Sequence, residues 1–130
     1  MTHTFPIRIY YEDTDAGGVV YHANYLKFTE RARTEFLREN NLECSKIEQD
    51  LGVLFVVRHI DADFIKPLQL DDKIEVRTTP YKTGKASFVL QQDVYKNDAV
   101  VFESRVTLVT VNAQTLRPIP LPDKVRNILN

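Results

Sequence analysis

The spacing of apolar residues changes along this chain, and each change marks a different kind of element. Residues 5–11 alternate in polarity and include β-branched and aromatic types, which predicts a first strand. The acidic, glycine-containing segment 12–18 breaks the alternation and predicts a loop. From about residue 22 to residue 41, apolar residues recur at the period of an amphipathic helix. The stripe of that helix consists of Tyr25, Phe28, Thr29, Ala32, Phe36 and Leu37.

Beyond residue 52 the residue pattern again favours strands. Strands are predicted at residues 53–64, 74–79, 86–95 and 100–112, with turns between them. The amphipathic stretch 42–52 favours a further short helix, and residues 123–129 favour one or two helical turns. The order of one strand, one long helix of about 18 residues and four strands predicts an α+β domain. Its core is a curved five-stranded antiparallel sheet with the helix against it.

One helix covers only one face of such a sheet, so the other face or an edge is expected to meet another subunit. The last strand supports this expectation because it carries apolar residues on both parities. Val101, Val109 and Val111 lie on one parity, and Phe102, Val106 and Leu108 lie on the other. An oligomer is therefore predicted.

Composition narrows the class of protein. The chain has 130 residues, which predicts one domain over residues 1–130, and a formal net charge of −1. A domain that binds nucleic acid usually has a strong basic excess, so nucleic acid is not an expected partner. The single cysteine, Cys44, excludes an intrachain disulfide and a cysteine-rich zinc site. No apolar run is long enough for a membrane span and the first residues do not resemble a signal peptide, so a cytoplasmic location is expected.

The polar segment between the first strand and the helix is the candidate site. Glu12-Asp13-Thr14-Asp15 is followed by Gly17-Gly18, and the helix begins a few residues later. The N–H groups at a helix N-terminus lack partners and carry partial positive charge, so they can stabilise a carbonyl oxygen during nucleophilic attack. The glycine pair would let the chain fold back and place an aspartate opposite these donors. That aspartate could attack the carbonyl carbon or deprotonate a water molecule.

The same residues also permit structural interpretations. Aspartate and threonine before glycine are common in turns, Asn24 is a normal helix cap, and a single histidine such as His22 is often structural. Asp13, Asp15 and His22 could together bind a metal ion, but their spacing matches no standard metal motif.

Residues 11–25, Tyr-Glu-Asp-Thr-Asp-Ala-Gly-Gly-Val-Val-Tyr-His-Ala-Asn-Tyr, closely resemble the signature of the hot-dog-fold acyl-CoA thioesterases of the 4-hydroxybenzoyl-CoA thioesterase class. They are most similar to the branch of bacterial acyl-CoA thioesterases associated with the Tol–Pal system. The resemblance continues through residues 30–35 and 55–58, Pro67, Asp71-Asp72 and the proline-rich end, and so covers nearly the whole chain. In a hot-dog fold the sheet wraps around the long helix, which agrees with the predicted order of elements.

The resemblance implies a role for each residue of the motif. Asp15 is the expected catalytic carboxylate, as nucleophile or as general base. The backbone N–H of His22 is the expected oxyanion donor, and its ring could add a proton donor. Gly18 would let the substrate approach, Tyr21 would line the thioester site, and Asp13 would hold the loop through hydrogen bonds. The implied reaction is hydrolysis of an acyl-CoA to the free acid and CoA, with no cofactor and no metal.

The resemblance also implies partners. CoA carries phosphates, which favour arginine and lysine, and Lys82, Lys85 and Arg117 stand where this family places such cations. The expected assembly is a homotetramer built as a dimer of dimers, and an acyl carrier protein is a further expected partner. Two other functions stay open. A hot-dog dehydratase could use Glu30 of the helix, and a non-catalytic module could bind acyl groups or an acyl carrier protein.

Overall fold

The computed structural model describes residues 1–130, which form five strands and three helices. The strands are β1 (His3–Arg8), β2 (Val53–Phe64), β3 (Lys73–Thr83), β4 (Ser87–Lys96) and β5 (Ala99–Asn112). The helices are α1 (Asn24–Glu39), α2 (Cys44–Leu51) and α3 (Asp123–Leu129). All strands pair antiparallel in one sheet with the order β1-β3-β4-β5-β2. No helix is long and apolar enough to cross a membrane.

The α+β class and the five antiparallel strands are confirmed, but the description with one long helix is incomplete. The two short helices α2 and α3 accompany α1, which has 16 residues. The first strand, His3–Arg8, begins and ends earlier than the predicted residues 5–11, and Tyr11 belongs to a 3-10 turn that ends at Asp13. Asn24 is the first residue of α1 and Ala23 precedes it as the cap, so the prediction of Asn24 as a helix cap is wrong.

The apolar stripe of α1 is buried along its whole length and joins two hydrophobic clusters. Its first half, including Tyr25, Phe28 and Ala32, packs with residues of β1, β3 and the Phe102 end of β5. Its last turn, with Phe36 and Leu37, packs with α2, α3 and the opposite end of the sheet. Burial of this stripe, at about 25 cal/mol per Å² of apolar surface, is what fixes α1 on the sheet.

A row of buried polar side chains separates the two clusters. On β4, Gln92 lies between Leu90 of one cluster and Val94 of the other, and it is fully buried. Its side-chain amide donates to the Thr29 carbonyl oxygen (3.0 Å) and to the Thr78 hydroxyl (2.9 Å). Its Oε1 accepts a hydrogen bond of 2.9 Å from Nη1 of Arg33. Gln92 therefore ties α1 to the middle of the sheet through polar contacts.

Burial within the chain, and not contact with another subunit as predicted, accounts for the apolar residues of β5. Val101, Val109 and Val111 are buried within their own chain, so they do not form an exposed apolar face. The exposed apolar surface is instead on β2, the strand at one edge of the sheet. There Val57 is 47% exposed and Phe64 is 53% exposed.

We expect Gln92→Met to lower the free energy of unfolding by about 2–4 kcal/mol. The change leaves the guanidinium of Arg33 and the hydroxyl of Thr78 without their partner in a buried setting. Urea denaturation at a fixed protein concentration measures the loss. Gln91→Met is the matched control, since Gln91 bonds only to Asp93 and Arg105 near the surface and should cost less than about 1 kcal/mol. Equal losses in the two variants would contradict a structural role for the buried row.

Candidate active site

The loop between β1 and α1 is closed by short hydrogen bonds at its base. Thr14 and Val20 form an isolated antiparallel bridge, and the Asp15 N–H donates to the Val19 carbonyl oxygen at 2.9 Å. The Tyr21 N–H donates to the Asp13 carbonyl oxygen at 2.8 Å. These bonds fold the chain back on itself, as the glycine pair predicts, and they bring residue 15 near the start of α1.

Asp13 is the buried anchor of this loop. Its side chain is only 5% exposed, and its two carboxylate oxygens have different partners. One accepts the backbone N–H of Tyr10 at 2.9 Å and the other accepts the side-chain amide of Asn24 at 3.0 Å. The prediction that Asp13 holds the loop through hydrogen bonds is confirmed. Asn24 takes part through this side-chain bond and not as a cap, which the spacing of the residues alone could not reveal.

Asp15 presents its carboxylate to solvent at the tip of the loop. Oδ1 accepts the N–H of Gly17 at 2.8 Å, which fixes the carboxylate relative to the backbone. Gly18 has a φ of +83°, a conformation that favours glycine over any residue with a Cβ. Nothing lies within 4 Å of the position that a Cβ on Gly18 would occupy, so the space above it is open. An exposed carboxylate beside open space is accessible to a substrate, as expected of a nucleophile or a general base.

The start of α1 faces this loop with unpaired donors. Neither His22 nor Ala23 donates its backbone N–H to another group of the chain, while Asn24, Tyr25 and Leu26 all do. The partial positive charge of the helix N-terminus adds to these two donors. The ring of His22 is exposed and packs edge-on against Tyr21, with centroids 4.7 Å apart, and against Phe64 at 6.3 Å. It makes no hydrogen bond within the chain.

Three aromatic side chains, Tyr25, Phe64 and Phe102, pack together next to His22. Tyr25 stacks on Phe102 with centroids 4.9 Å apart and meets Phe64 edge-on at 5.3 Å. Burial raises the pKa of Tyr25, so its phenol stays protonated near neutral pH and does not act as a base there. Phe64 is not among the residues that the sequence pattern assigns to the site. Its position at the end of β2, level with the start of α1, is a product of the sheet register.

The three cations predicted to bind CoA lie elsewhere in the chain. Lys82, Lys85 and Arg117 are exposed at the far end of β3, in the following hairpin and in the segment after β5. The loop between β1 and α1 is at the near end of β3, where the Ile9 N–H donates to the Asp72 carbonyl oxygen. Eleven residues of strand separate the two ends, roughly 35 Å. One chain alone does not bring these cations to Asp15. None of the His, Cys, Asp and Glu side chains form a group that could hold a metal ion.

Comparison with known proteins agrees with this architecture. The model of the thioesterase-like superfamily matches residues 10–129. The chain belongs to this superfamily. An acyl-CoA thioesterase YbgC of Helicobacter pylori is 42% identical over 95% of this chain and 96% of its own length. YbgC of Haemophilus influenzae, also an acyl-CoA thioesterase, is 37% identical over 95% of this chain and 90% of its own. A probable thioesterase from Bartonella henselae superposes with a TM-score of 0.89 at 33% identity, covering 94% of this chain and all of the other.

Membership of the thioesterase-like superfamily confirms the resemblance to hot-dog thioesterases. Membership of the superfamily assigns no role to any individual residue of this chain. The roles of individual residues rest on the geometry of the loop between β1 and α1. Asp15, Gly18, Tyr21 and His22 all lie in the segment between β1 and α1, whereas the three cations lie at the other end of the sheet.

We expect Gly17→Ala to lower the turnover of thioester hydrolysis about tenfold. A Cβ at residue 17 would lie 3.1 Å from Oδ1 of Asp15, so the carboxylate must shift, and small misplacements of reacting groups are costly. Stability should change little. Gly18→Ala is the contrasting variant, because it meets no atom but strains the backbone at positive φ and should cost about 1–2 kcal/mol in stability. Steady-state kinetics and thermal unfolding of both variants separate the effects; unchanged turnover in Gly17→Ala would contradict the role of Asp15.

Proposed function

We propose that Asp15 and the N-terminus of α1 together hydrolyse the thioester of an acyl-CoA. Relatives at 37–42% identity over most of the chain are acyl-CoA thioesterases, and this enzyme class carries over to the chain. The observation that supports the site is an exposed carboxylate in the same loop that leads to two unpaired backbone N–H groups at the start of α1. Asp15 and His22 stand on the two sides of one loop whose base is closed at Thr14 and Val20.

In the proposed reaction the thioester carbonyl oxygen accepts a hydrogen bond from the His22 N–H. As a nucleophile, Asp15 adds to the carbonyl carbon, CoA leaves as the thiolate, and water then hydrolyses the mixed anhydride. As a general base, Asp15 takes a proton from water while the hydroxide adds to the carbonyl carbon, and the intermediate expels the CoA thiolate. In both routes the negative charge grows on the oxygen that faces the helix N-terminus, where it is best stabilised.

The site further needs a second copy of the chain, and β2 supplies the contact in this proposal. β2 pairs with β5 on one side only, so its other edge has unpaired N–H and C=O groups over 12 residues. A bulge between Val57 and His59 shifts the register at Arg58. As a result, the side chains that face α1 come from both halves of the strand: Val53, Phe55, Val57, Ile60, Ala62 and Phe64.

Full antiparallel overlap of two β2 strands keeps these faces matched, as a paired sheet requires. It sets Val57 opposite Ile60 of the partner subunit and Val53 opposite Phe64 of the partner subunit. The end of the sheet that carries Lys82, Lys85 and Arg117 then adjoins the partner's catalytic loop. We infer that these cations serve the CoA phosphates of the neighbouring site.

The remaining expectations stay predictions. A tetramer built as a dimer of dimers needs a second interface, and the exposed Tyr10 and Tyr11 beside the loop are the residues that we propose for it. An acyl carrier protein as partner rests on the resemblance alone, and a cytoplasmic location is an expectation from the sequence. The alternative of a dehydratase would require Glu30, which lies eight residues after His22, roughly 12 Å along the helix axis. A dehydratase would alter the acyl chain without releasing CoA.

We expect Asp15→Asn to lose at least about 100-fold in thiol release from acyl-CoA while the protein stays folded. His22→Ala should lose less, because its backbone N–H remains. The assay follows free thiol with short aliphatic, long aliphatic and aromatic acyl-CoAs. Asp50→Asn, which changes an exposed carboxylate on α2, should match the unsubstituted protein. Turnover of Asp15→Asn within a few-fold of normal would refute the assignment, and a loss in His22→Ala as large as in Asp15→Asn would show that the ring takes part in the chemistry.

We expect Lys82→Ala and Lys85→Ala to raise the KM for acyl-CoA several-fold, because each removes a positive charge proposed to face a phosphate. Thioesters of small thiols without the nucleotide should be hydrolysed as before. Lys27→Ala, an exposed lysine of α1, is the control and should affect neither substrate. Equal effects on CoA and non-CoA thioesters would mean that the two lysines do not contact the nucleotide.

A further inference from the structure

A cavity of about 330 Å³ lies between α1, α2 and the inner face of the sheet. Its wall is mostly apolar and includes Leu37, Ile47, Phe55 and Phe88, with the Cys44 thiol also lining it. Three polar side chains of α1 interrupt that wall, namely Glu30, Arg33 and Thr34. The volume corresponds to roughly ten water-sized groups, enough for a short chain or a ring.

Arg33 is the unusual member of this wall. Its Nη1 is held by Gln92 at 2.9 Å, which fixes the plane of the guanidinium. None of the ion pairs of the chain includes Arg33, and its only other hydrogen bond is a long one, 3.5 Å, to Thr29. A guanidinium has five N–H donors in a rigid fork, so most of those of Arg33 lack an acceptor. Burial lowers the pKa of Arg33, and the nearby charge of Glu30 opposes that shift.

We propose that this cavity receives the far end of the substrate's acyl group and that Arg33 selects acyl groups with a hydroxyl group there. The inference rests on the proposed function, since it supplies the acyl site for the same reaction. Arg33 would donate a hydrogen bond to that oxygen, and the apolar wall would pack against the methylene or ring carbons before it. A hydrogen bond to a charged donor in a partly buried site discriminates strongly against an analogue that lacks the oxygen.

Glu30 explains why a neutral oxygen is favoured over a carboxylate. Its side chain lines the same cavity, so its negative charge opposes a second anion beside Arg33. A hydroxyl can accept from Arg33 and donate to Glu30 or Thr34 at the same time. The pair of charges therefore suits a group that both accepts and donates.

The cavity serves the catalytic loop of the neighbouring subunit. Phe55 lines the cavity, whereas the loop packs on Phe64, nine residues further along β2 and roughly 30 Å away. In the proposed pairing, the two β2 strands are neighbours in one sheet. Phe64 of the partner subunit lies two residues beyond the position directly opposite Phe55, roughly 8 Å from it. In that pairing the Phe55 end of this cavity is closer to the partner's loop than to the loop of its own chain, so an acyl chain bound at the partner's loop can enter the cavity at this end.

The selectivity test uses acyl-CoAs matched in length, from four to about ten carbons, with a methyl, hydroxyl or carboxyl end. At the best length we expect kcat/KM for the hydroxyl ester to exceed that for the methyl ester about tenfold. Arg33→Met should bring this ratio to about one, whereas Arg31→Met, an exposed arginine of α1, should keep it. A ratio near one at every length in the unsubstituted protein, or a ratio that survives in Arg33→Met, would overturn the proposal.

Since Arg33→Met disturbs a buried contact, Glu30→Gln provides a second variant with little risk to folding. Removing the negative charge should shift the preference towards the carboxyl ester by about tenfold, and an unchanged preference would count against the proposed pocket. Cys44, the only cysteine, gives a readout independent of activity. The free hydroxy acid of the best length should slow alkylation of Cys44 more than the plain fatty acid does, and equal rates would contradict binding in this cavity.

A mixed dimer tests which subunit supplies the cavity. An isolated heterodimer of Asp15→Asn and Arg33→Met chains contains one site with Asp15 from one chain and Arg33 from the other. We expect the hydroxyl preference to return in that heterodimer, and hydrolysis without preference would refute the placement across subunits. Failure of the proposed function itself looks different: the unsubstituted protein would release no thiol from any ester, or the release would survive Asp15→Asn.

Discussion

The buried carboxylate of Asp13 is the contact on which the loop between β1 and α1 depends. It joins the end of β1, through the Tyr10 N–H, to the first residue of α1, through the amide of Asn24. A buried carboxylate is tolerated only when its oxygens are hydrogen-bonded, and here both are. Because the two partners belong to different elements, the bonds fix how the strand approaches the helix. The exposed Asp15 and the free N–H groups of His22 and Ala23 keep their relation to each other for this reason.

A second constraint acts further along α1, where the hydrophobic core is divided. Gln92 and its neighbours form a polar row across the sheet, between the cluster near the loop that precedes α1 and the cluster near α2 and α3. A buried polar row must satisfy its own donors and acceptors, and Gln92 does so by bonding to Thr29, Thr78 and Arg33. The guanidinium of Arg33 is thereby held at the wall of a mostly apolar cavity. The same contact that stabilises the core also fixes the one cation of that cavity.

Local patterns predicted much of the fold and of the loop. The residue pattern of 53–64 predicted the observed bounds of β2. The stripe from Tyr25 to Leu37 is the buried face of α1. The acidic segment with its glycine pair identified the loop, because those residue types have local conformational causes. The side-chain bond of Asn24 to Asp13 and the burial of Val109 were not predictable in this way. They depend on which distant segments meet, and no local periodicity records that.

The bulge at Arg58 is the clearest case of such a long-range effect, and the proposed site depends on it. Without the extra residue, the side chains facing α1 would follow one parity along the whole of β2, and Phe55 and Phe64 would lie on opposite faces. With it, both lie on the helix side, one at the cavity and one beneath His22. One chain then carries the loop at one end of β2, and the cavity and the three cations at the other. In the proposed dimer, two chains paired along β2 place the loop of each chain beside the cavity and cations of the other, so the twofold symmetry completes both sites.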